Sequence, residues 1–188
     1  GASASTWHGT HVAGIVAATR NNGVGTVGVA PGVKVQPIRA LGRCGGTDWD
    51  IAMSVLWAAG INVTKYDRRH GRVPVNRTPA KIINLSLGAL ANSVSSARQA
   101  CRLYSSVASK ARAKGALVIA AAGNNGVDHR LNVPSSCSGY LSVAATTPTG
   151  EGAYYSNRGA GIDVAAPGGS AAPGSVSQDI LATRNGGS

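Results

Sequence analysis

Apolar and polar positions fall in blocks along this chain, and the period of each block predicts its element. Val12, Ile15 and Val16 recur at helical spacing in a run of small residues, so a helix is expected there, with His8 at or before its first turn. Asn21-Asn22-Gly23-Val24-Gly25 reads as a turn-rich loop. Lys34–Leu41 is a candidate strand ended by Gly42. Asp48 or Asp50 is placed to cap a helix carrying Ile51, Val55, Leu56 and Ala59, which stops at Gly60. Residues 62–79 are polar, basic and proline-containing, and read as an inserted loop. Lys81–Leu87 predicts a second strand. Ser95–Lys114 predicts a helix, because Ala97, Ala100, Cys101, Tyr104, Val107, Ala108 and Ala111 keep 3–4 spacing before Gly115. Ala116–Ala122 is a short continuous apolar run, as expected of a strand buried on both faces. Leu141–Thr146, Ile162–Ala166 and Asp179–Thr183 are further candidate strands.

Strands alternating with helices predict an α/β fold. The expected form is a doubly wound, mostly parallel sheet with right-handed crossovers and helices on both faces. Residues 1–188 read as one domain with no internal repeat. Sites in such folds lie outside the carboxyl ends of the strands. That directs attention to Leu41-Gly42-Arg43, Ser86-Leu87-Gly88, Gly123-Asn124-Asn125 and Ala166-Pro167-Gly168.

Composition narrows the class. Hydrophobic residues make up 43% and charged residues 13%, a mix that packs a core and excludes a disordered chain. No apolar run approaches the length of a membrane span. The only methionine is Met53 and the chain begins at Gly1, so a processed product or a fragment is expected, with no signal peptide to read. The net charge is +11, and Lys65, Arg68, Arg69, Arg72 and Arg77 cluster in the inserted loop. No aromatic interleaving or nucleic-acid motif accompanies that cluster, so a solvated basic loop is expected rather than a nucleic-acid site. Cys44, Cys101 and Cys137 include no C-x-x-C pair, which argues against a zinc or thioredoxin-like site. Both buried free thiols and a bridged pair with one cysteine left over remain open. Asn62-Val63-Thr64 and Asn76-Arg77-Thr78 match glycosylation acceptors, a pattern that also arises by chance.

Two segments carry candidate chemistry. His8 leads the His8-Gly9-Thr10-His11-Val12-Ala13-Gly14 run. Histidine is the side chain whose ordinary pKa best suits proton shuttling near neutrality, although one at a helix start also serves as a cap or surface residue. His8 and His11 are three apart with no carboxylate between them, so they are not the paired histidines of a zinc peptidase. In Ala120-Ala121-Ala122-Gly123-Asn124 a buried strand ends in glycine and then presents an amide. Its NH₂ is a neutral donor suited to developing negative charge on oxygen, and Asn is equally at home in a plain turn.

Together these segments resemble the subtilisin-like serine proteases. The resemblance is carried by His-Gly-Thr-His-Val-Ala-Gly at 8–14, Gly28-Val29-Ala30-Pro31, Asn84-Leu85-Ser86-Leu87-Gly88, Ala121-Ala122-Gly123-Asn124 and Ala165-Ala166-Pro167-Gly168. All occur in the family's order over nearly the whole chain, and Cys44-Gly45-Gly46 is similar to secreted bacterial basic extracellular proteases. The resemblance implies a serine endopeptidase in which His8 is the general base and Asn124 the oxyanion donor. It implies that Ser86, Leu87 and Gly88, with Cys44, Gly45 and Gly46, bind an extended peptide or protein substrate as an added strand. Gly123 would line the pocket for the residue before the scissile bond. No cofactor is implied for the chemistry. A structural Ca²⁺ is implied at the Asn21–Thr26 loop, with carbonyls of Arg20, Val24 and Thr26 and the side-chain oxygen of Asn22 as ligands. Cys101 and Cys137 match positions that are disulfide-linked in such relatives, and Cys44 would have an upstream partner. A secreted monomer with a propeptide in its precursor follows from the same resemblance, with neither a nucleic-acid nor a membrane partner.

Two family motifs have no match. No Asp-Thr/Ser-Gly precedes His8, and no Gly-Thr-Ser-Met-Ala follows Ala-Pro-Gly. Ser188 lacks that context and is not assigned as nucleophile. The expectation is the middle of a protease domain, inactive alone because the triad Asp and Ser are absent. The alternative is a pseudoprotease or peptide-binding module of the same fold.

Overall fold

The computed structural model describes residues 6–66, 72–170 and 179–184. The chain divides into two compact units, Gly1–Ile38 with Ile180–Ser188, and Arg39–Asp179.

In the first unit, helix α1 spans His8–Ala17 after Trp7, whose backbone is left-handed at φ 55°. Gly14 is the buried residue of this helix, and Val12, Ile15 and Val16 stay partly or fully exposed. Thr183 explains the glycine: its side chain occupies the space a Cβ on residue 14 would need, and its Oγ1 donates to Thr10 O at 2.7 Å. The segment Gly28-Val29-Ala30 finishes the helix. Its three N–H groups donate to Ala18 O, Ile15 O and Val16 O at 2.8–3.0 Å, satisfying carbonyls that a helix end leaves without partners. Gly28 runs so close to the backbone of Ala17 and Ala18 that a Cβ would lie 2.5 Å from their nitrogens. Two expected strands are not formed here. Val35, Ile38 and Leu41 of the 34–41 segment are exposed, and neither that segment nor 179–183 joins a ladder among the described residues. An extended segment becomes a strand only when a neighbouring chain pairs with it.

The second unit is built on a four-stranded parallel sheet in the order β1-β3-β5-β6. The strands are β1 (Ile82–Leu85), β3 (Leu117–Ala121), β5 (Tyr140–Thr146) and β6 (Val164–Pro167). Two further strands, β2 (Ala89–Leu90) and β4 (Asn132–Val133), pair antiparallel beside it. Helix α2 spans Asp48–Ala58, and Thr47 caps it by accepting from Asp50 N at 3.1 Å. Thr47 caps in place of either aspartate because its backbone is still extended, as the capping position requires. The helix is buried nearly all round (Ile51, Ala52, Met53, Val55, Leu56 and Ala58), more widely than its sequence face indicates. Helix α3 spans Val94–Ala113 and opens on a capping box between Ser93 and Ser96.

Ala97, Tyr104, Val107, Ala108 and Ala111 of α3 pack with α2 and with Ile83, Leu85, Val118 and Ala120 into one core. Tyr104 anchors the two helices by donating to Asp48 Oδ1 at 2.8 Å, and burial together with that bond pushes its phenol pKa well up. The β3 run is not uniformly buried. Val118 and Ala120 are covered by this core, while Leu117, Ile119 and Ala121 are half-buried. Cys101 of α3 and Cys137 form a disulfide across 36 residues, a loop closure that contributes about 4 kcal/mol in the chain-entropy account. In the inserted segment, Thr64 exchanges two hydrogen bonds with Val73, and Trp57 Nε1 donates to Pro74 O at 2.8 Å. Asn76 is buried with its amide donating to Ala58 O, so this sequon is not presented to a glycan. Arg68 and Arg69 of the basic cluster lie outside the described residues, as does Ser188.

Candidate active site

The parallel register builds the site from two neighbouring strand ends. Leu85 of β1 pairs with Ala120 of β3, so Ser86-Leu87-Gly88 and Ala122-Gly123-Asn124 leave the sheet side by side at its carboxyl edge. The first segment continues into β2, whose pairing with β4 sets Asn132 and Val133 against Gly88. A Cβ on Gly88 would lie 2.9 Å from Val133 O and 3.0 Å from Asn132 Nδ2. A Cβ on Gly123 would lie 2.6 Å from Asn132 Oδ1 and closer still to Asn157 Nδ2. Both glycines are therefore required by close approach, and Asn132 stands between the two edges as a buried polar floor. Its amide donates to Ala121 O at 3.2 Å and to Ser135 Oγ at 2.9 Å. Gly88, Ala89 and Leu90 are exposed along the first edge.

Gly123 has φ 103°, a backbone that favours glycine, and it turns the chain so that Asn124 is exposed just beyond the strand. The Asn124 side chain makes no hydrogen bond to another described residue, which leaves its NH₂ available. The turn around it is held by Asn157, which is fully buried. Asn132 and Asn157 escape a reading of the sequence because isolated asparagines in turn-rich segments look like surface residues; only the fold shows them buried.

Behind the site, His129 is buried and its Nε2 shares a hydrogen bond with Ser135 Oγ at 3.1 Å. Burial holds its pKa below the usual histidine value, against the pull of Asp163 and Asp128. Asp128 is held down at about 2, chiefly by the Arg130 guanidinium. Asp163 is also lowered, by the backbone N–H and hydroxyl of Ser142. The sign for His129 follows from linkage. The unfolded chain takes up a proton near the ordinary pKa of about 6.5, while the folded chain resists it, so stability falls as pH drops through that value. Unfolding free energy is expected to decline between pH 7.5 and pH 5.5 with a slope up to about 1.4 kcal/mol per pH unit from this group. Urea titrations at both pH values should show a smaller decline in His129→Gln; an identical decline in both proteins would refute the assignment.

The remaining expected residues lie on other segments of the chain. His8 is exposed at the start of α1 in the first unit. Cys44-Gly45-Gly46 forms a tight turn closed by Gly42 N–H to Gly45 O at 2.8 Å, with Gly45 at φ 92° and Cys44 an exposed free thiol. Arg20, Asn22 and Val24 are exposed and Thr26 is half-buried in one loop, in which Asn22 Oδ1 accepts from Val24 N at 3.1 Å. Asn22, Val24 and Thr26 line a cavity of about 470 Å³ together with Arg184. The four expected oxygens are neutral donors and Arg184 lines the same cavity, so no calcium ligation is assigned to them. No cluster of three or more metal-ligating side chains occurs among the described residues.

The chain has an α/β fold whose parallel sheet ends in an exposed segment at 88–90 and an exposed amide at the adjacent strand end. The chain belongs to the Subtilase family, whose model matches residues 1–187. It is 45% identical over 164 residues to an extracellular basic protease of Dichelobacter nodosus, covering 87% of this chain and 25% of that protein. It is 43% identical over 186 residues to an extracellular protease of Xanthomonas campestris pv. campestris, covering 99% of this chain and 28% of that one. A solved protease from Pseudoalteromonas arctica superposes with a TM-score of 0.85 at 43% identity, over 100% of this chain and 51% of that structure. The chain thus spans about a quarter of the relatives' length and about half of the solved chain.

Proposed function

We propose that these residues work in a secreted serine endopeptidase that cleaves extended segments of proteins. The observation that carries the reading is Asn124: an exposed amide, fixed at a strand end beside the Ser86–Gly88 edge. A substrate peptide would add to that edge through main-chain hydrogen bonds, with the side chain before the scissile bond directed between Gly88 and Gly123 over Asn132. His8 would take the proton from a serine hydroxyl as it attacks the carbonyl carbon. Asn124 Nδ2–H would donate to the resulting oxyanion, and His8 would then protonate the departing amine. Water would release the acyl group by the same steps in reverse. Extracellular relatives support secretion, and a monomer with a propeptide in its precursor completes the proposal.

The nucleophile and the orienting aspartate have no motif match in residues 1–188, so these residues alone are expected to leave casein intact. Cleavage by purified residues 1–188 that His8→Ala abolishes would overturn that expectation. The decisive experiment uses the complete protease. Asn124→Ala is expected to lower kcat by about 10²–10³, the loss recorded for the equivalent donor in subtilisin, with KM little changed. An unchanged kcat would remove Asn124 from the reaction.

A further inference from the structure

We propose that Asn157 is a positioning residue for Asn124, a role that rests on Asn124 being the oxyanion donor. Asn157 is fully buried and directs four hydrogen bonds at the chain on either side of Asn124. Upstream, its Nδ2 donates to Ala122 O at 2.9 Å and its backbone N–H to Gly123 O at 3.0 Å. Downstream, its Oδ1 accepts from Asn125 N at 3.0 Å and from Val127 N at 3.2 Å. None of these bonds involves Asn124 itself. The side chain thus spans the turn as a brace and leaves the amide it presents unencumbered.

The brace is needed because the sheet stops short of the turn. The last tie to β5 is Ala122 N–H to Val143 O at 2.9 Å, and beyond it Gly123 has the widest conformational freedom of any residue. A donor that stabilises a transition state must hold its place, and a displacement of about 1 Å costs on the order of 10² in rate. Asparagine suits the task because one short planar group offers both a donor and a two-fold acceptor. Serine is too short to reach both sides. Aspartate keeps the acceptor for Asn125 and Val127 but loses the donor to Ala122.

The test measures kcat and KM for a peptide p-nitroanilide in the complete protease. Asn157→Ser and Asn157→Asp are each made in the parent and in an Asn124→Ala background. Rates are expressed per site labelled to completion by an irreversible serine-directed inhibitor. In the parent, Asn157→Ser is expected to lower kcat about 10²-fold with KM within about twofold. Asn157→Asp is expected to fall between Asn157→Ser and the parent. On the Asn124→Ala background, the same substitutions are expected to change kcat by less than about threefold, because the group they position is gone. Equal losses on both backgrounds, or no loss in the parent, would overturn the proposal and leave Asn157 a structural residue. Should Asn157→Ser fail to fold, Asn157→Asp across the two backgrounds gives the same decision. If Asn124→Ala alone leaves kcat unchanged, the donor reading of Asn124 fails first, and the proposal with it.

Discussion

Gly123→Ala is expected to destabilise the protein by about 3–5 kcal/mol, from two additive causes. The first is backbone strain, since φ 103° lies where a Cβ is disfavoured. The second is overlap: the new methyl would sit 2.6 Å from Asn132 Oδ1 and closer to Asn157 Nδ2. Neither neighbour is the free end of a flexible chain. Asn132 is tied to Ala121 and Ser135, and Asn157 to Ala122, Asn125 and Val127. Relieving the clash therefore means breaking buried hydrogen bonds, whose orphaned groups cost about 1–3 kcal/mol each. Gly150→Ala separates the two causes. Gly150 has φ 84° but open space around its missing Cβ, so it should lose only the strain part, about 1–2 kcal/mol. Chemical denaturation of both variants decides the matter. Equal losses would mean that the asparagine pair yields easily and that the packing account is wrong.

With His8 as the proposed general base, His8→Ala in the complete protease is expected to reduce kcat by about 10⁶, the loss recorded for the general-base histidine of subtilisin. The size reflects the joint action of base and nucleophile: without a proton acceptor, the serine hydroxyl is a poor nucleophile at neutral pH. KM should change little, because the substitution removes proton transfer and leaves the main-chain hydrogen bonds proposed to hold the substrate. His11→Ala is the matched control. It lies on the same helix and removes the same ring, and kcat should stay within about threefold of the parent. Comparable losses in both would assign the effect to the helix rather than to the His8 imidazole.

Most of the elements that build the site are visible in the pattern of residues. The amphipathic period of α3 and the apolar run of β3 each fall within a residue or two of their observed bounds. The motif Gly28-Val29-Ala30 is recognisable as a pattern, but its work is physical: three N–H groups close the end of α1. What stays hidden depends on partners distant in the chain. Lys34–Leu41 and Asp179–Thr183 are candidate strands by sequence, yet the described residues give them no ladder. Strands β2 and β4 are two residues each, too short to leave a period, although their pairing brings Asn132 to Gly88. Asn157 lies 33 positions beyond Asn124, and nothing in its neighbours' polarity signals that it is fully buried.

The two crowded glycines also have a genetic consequence. Every missense change in a glycine codon adds at least a Cβ, and at residues 88 and 123 that atom meets Val133 O, Asn132 or Asn157. These two codons therefore have almost no harmless neighbours, whatever residue replaces the glycine. Inherited change in the width or polarity of this cleft is channelled to Asn132, whose side chain can shorten without a collision and loses only its bonds to Ala121 O and Ser135 Oγ. A saturation scan should record this as depletion of all variants at 88 and 123, beside survivors at 132.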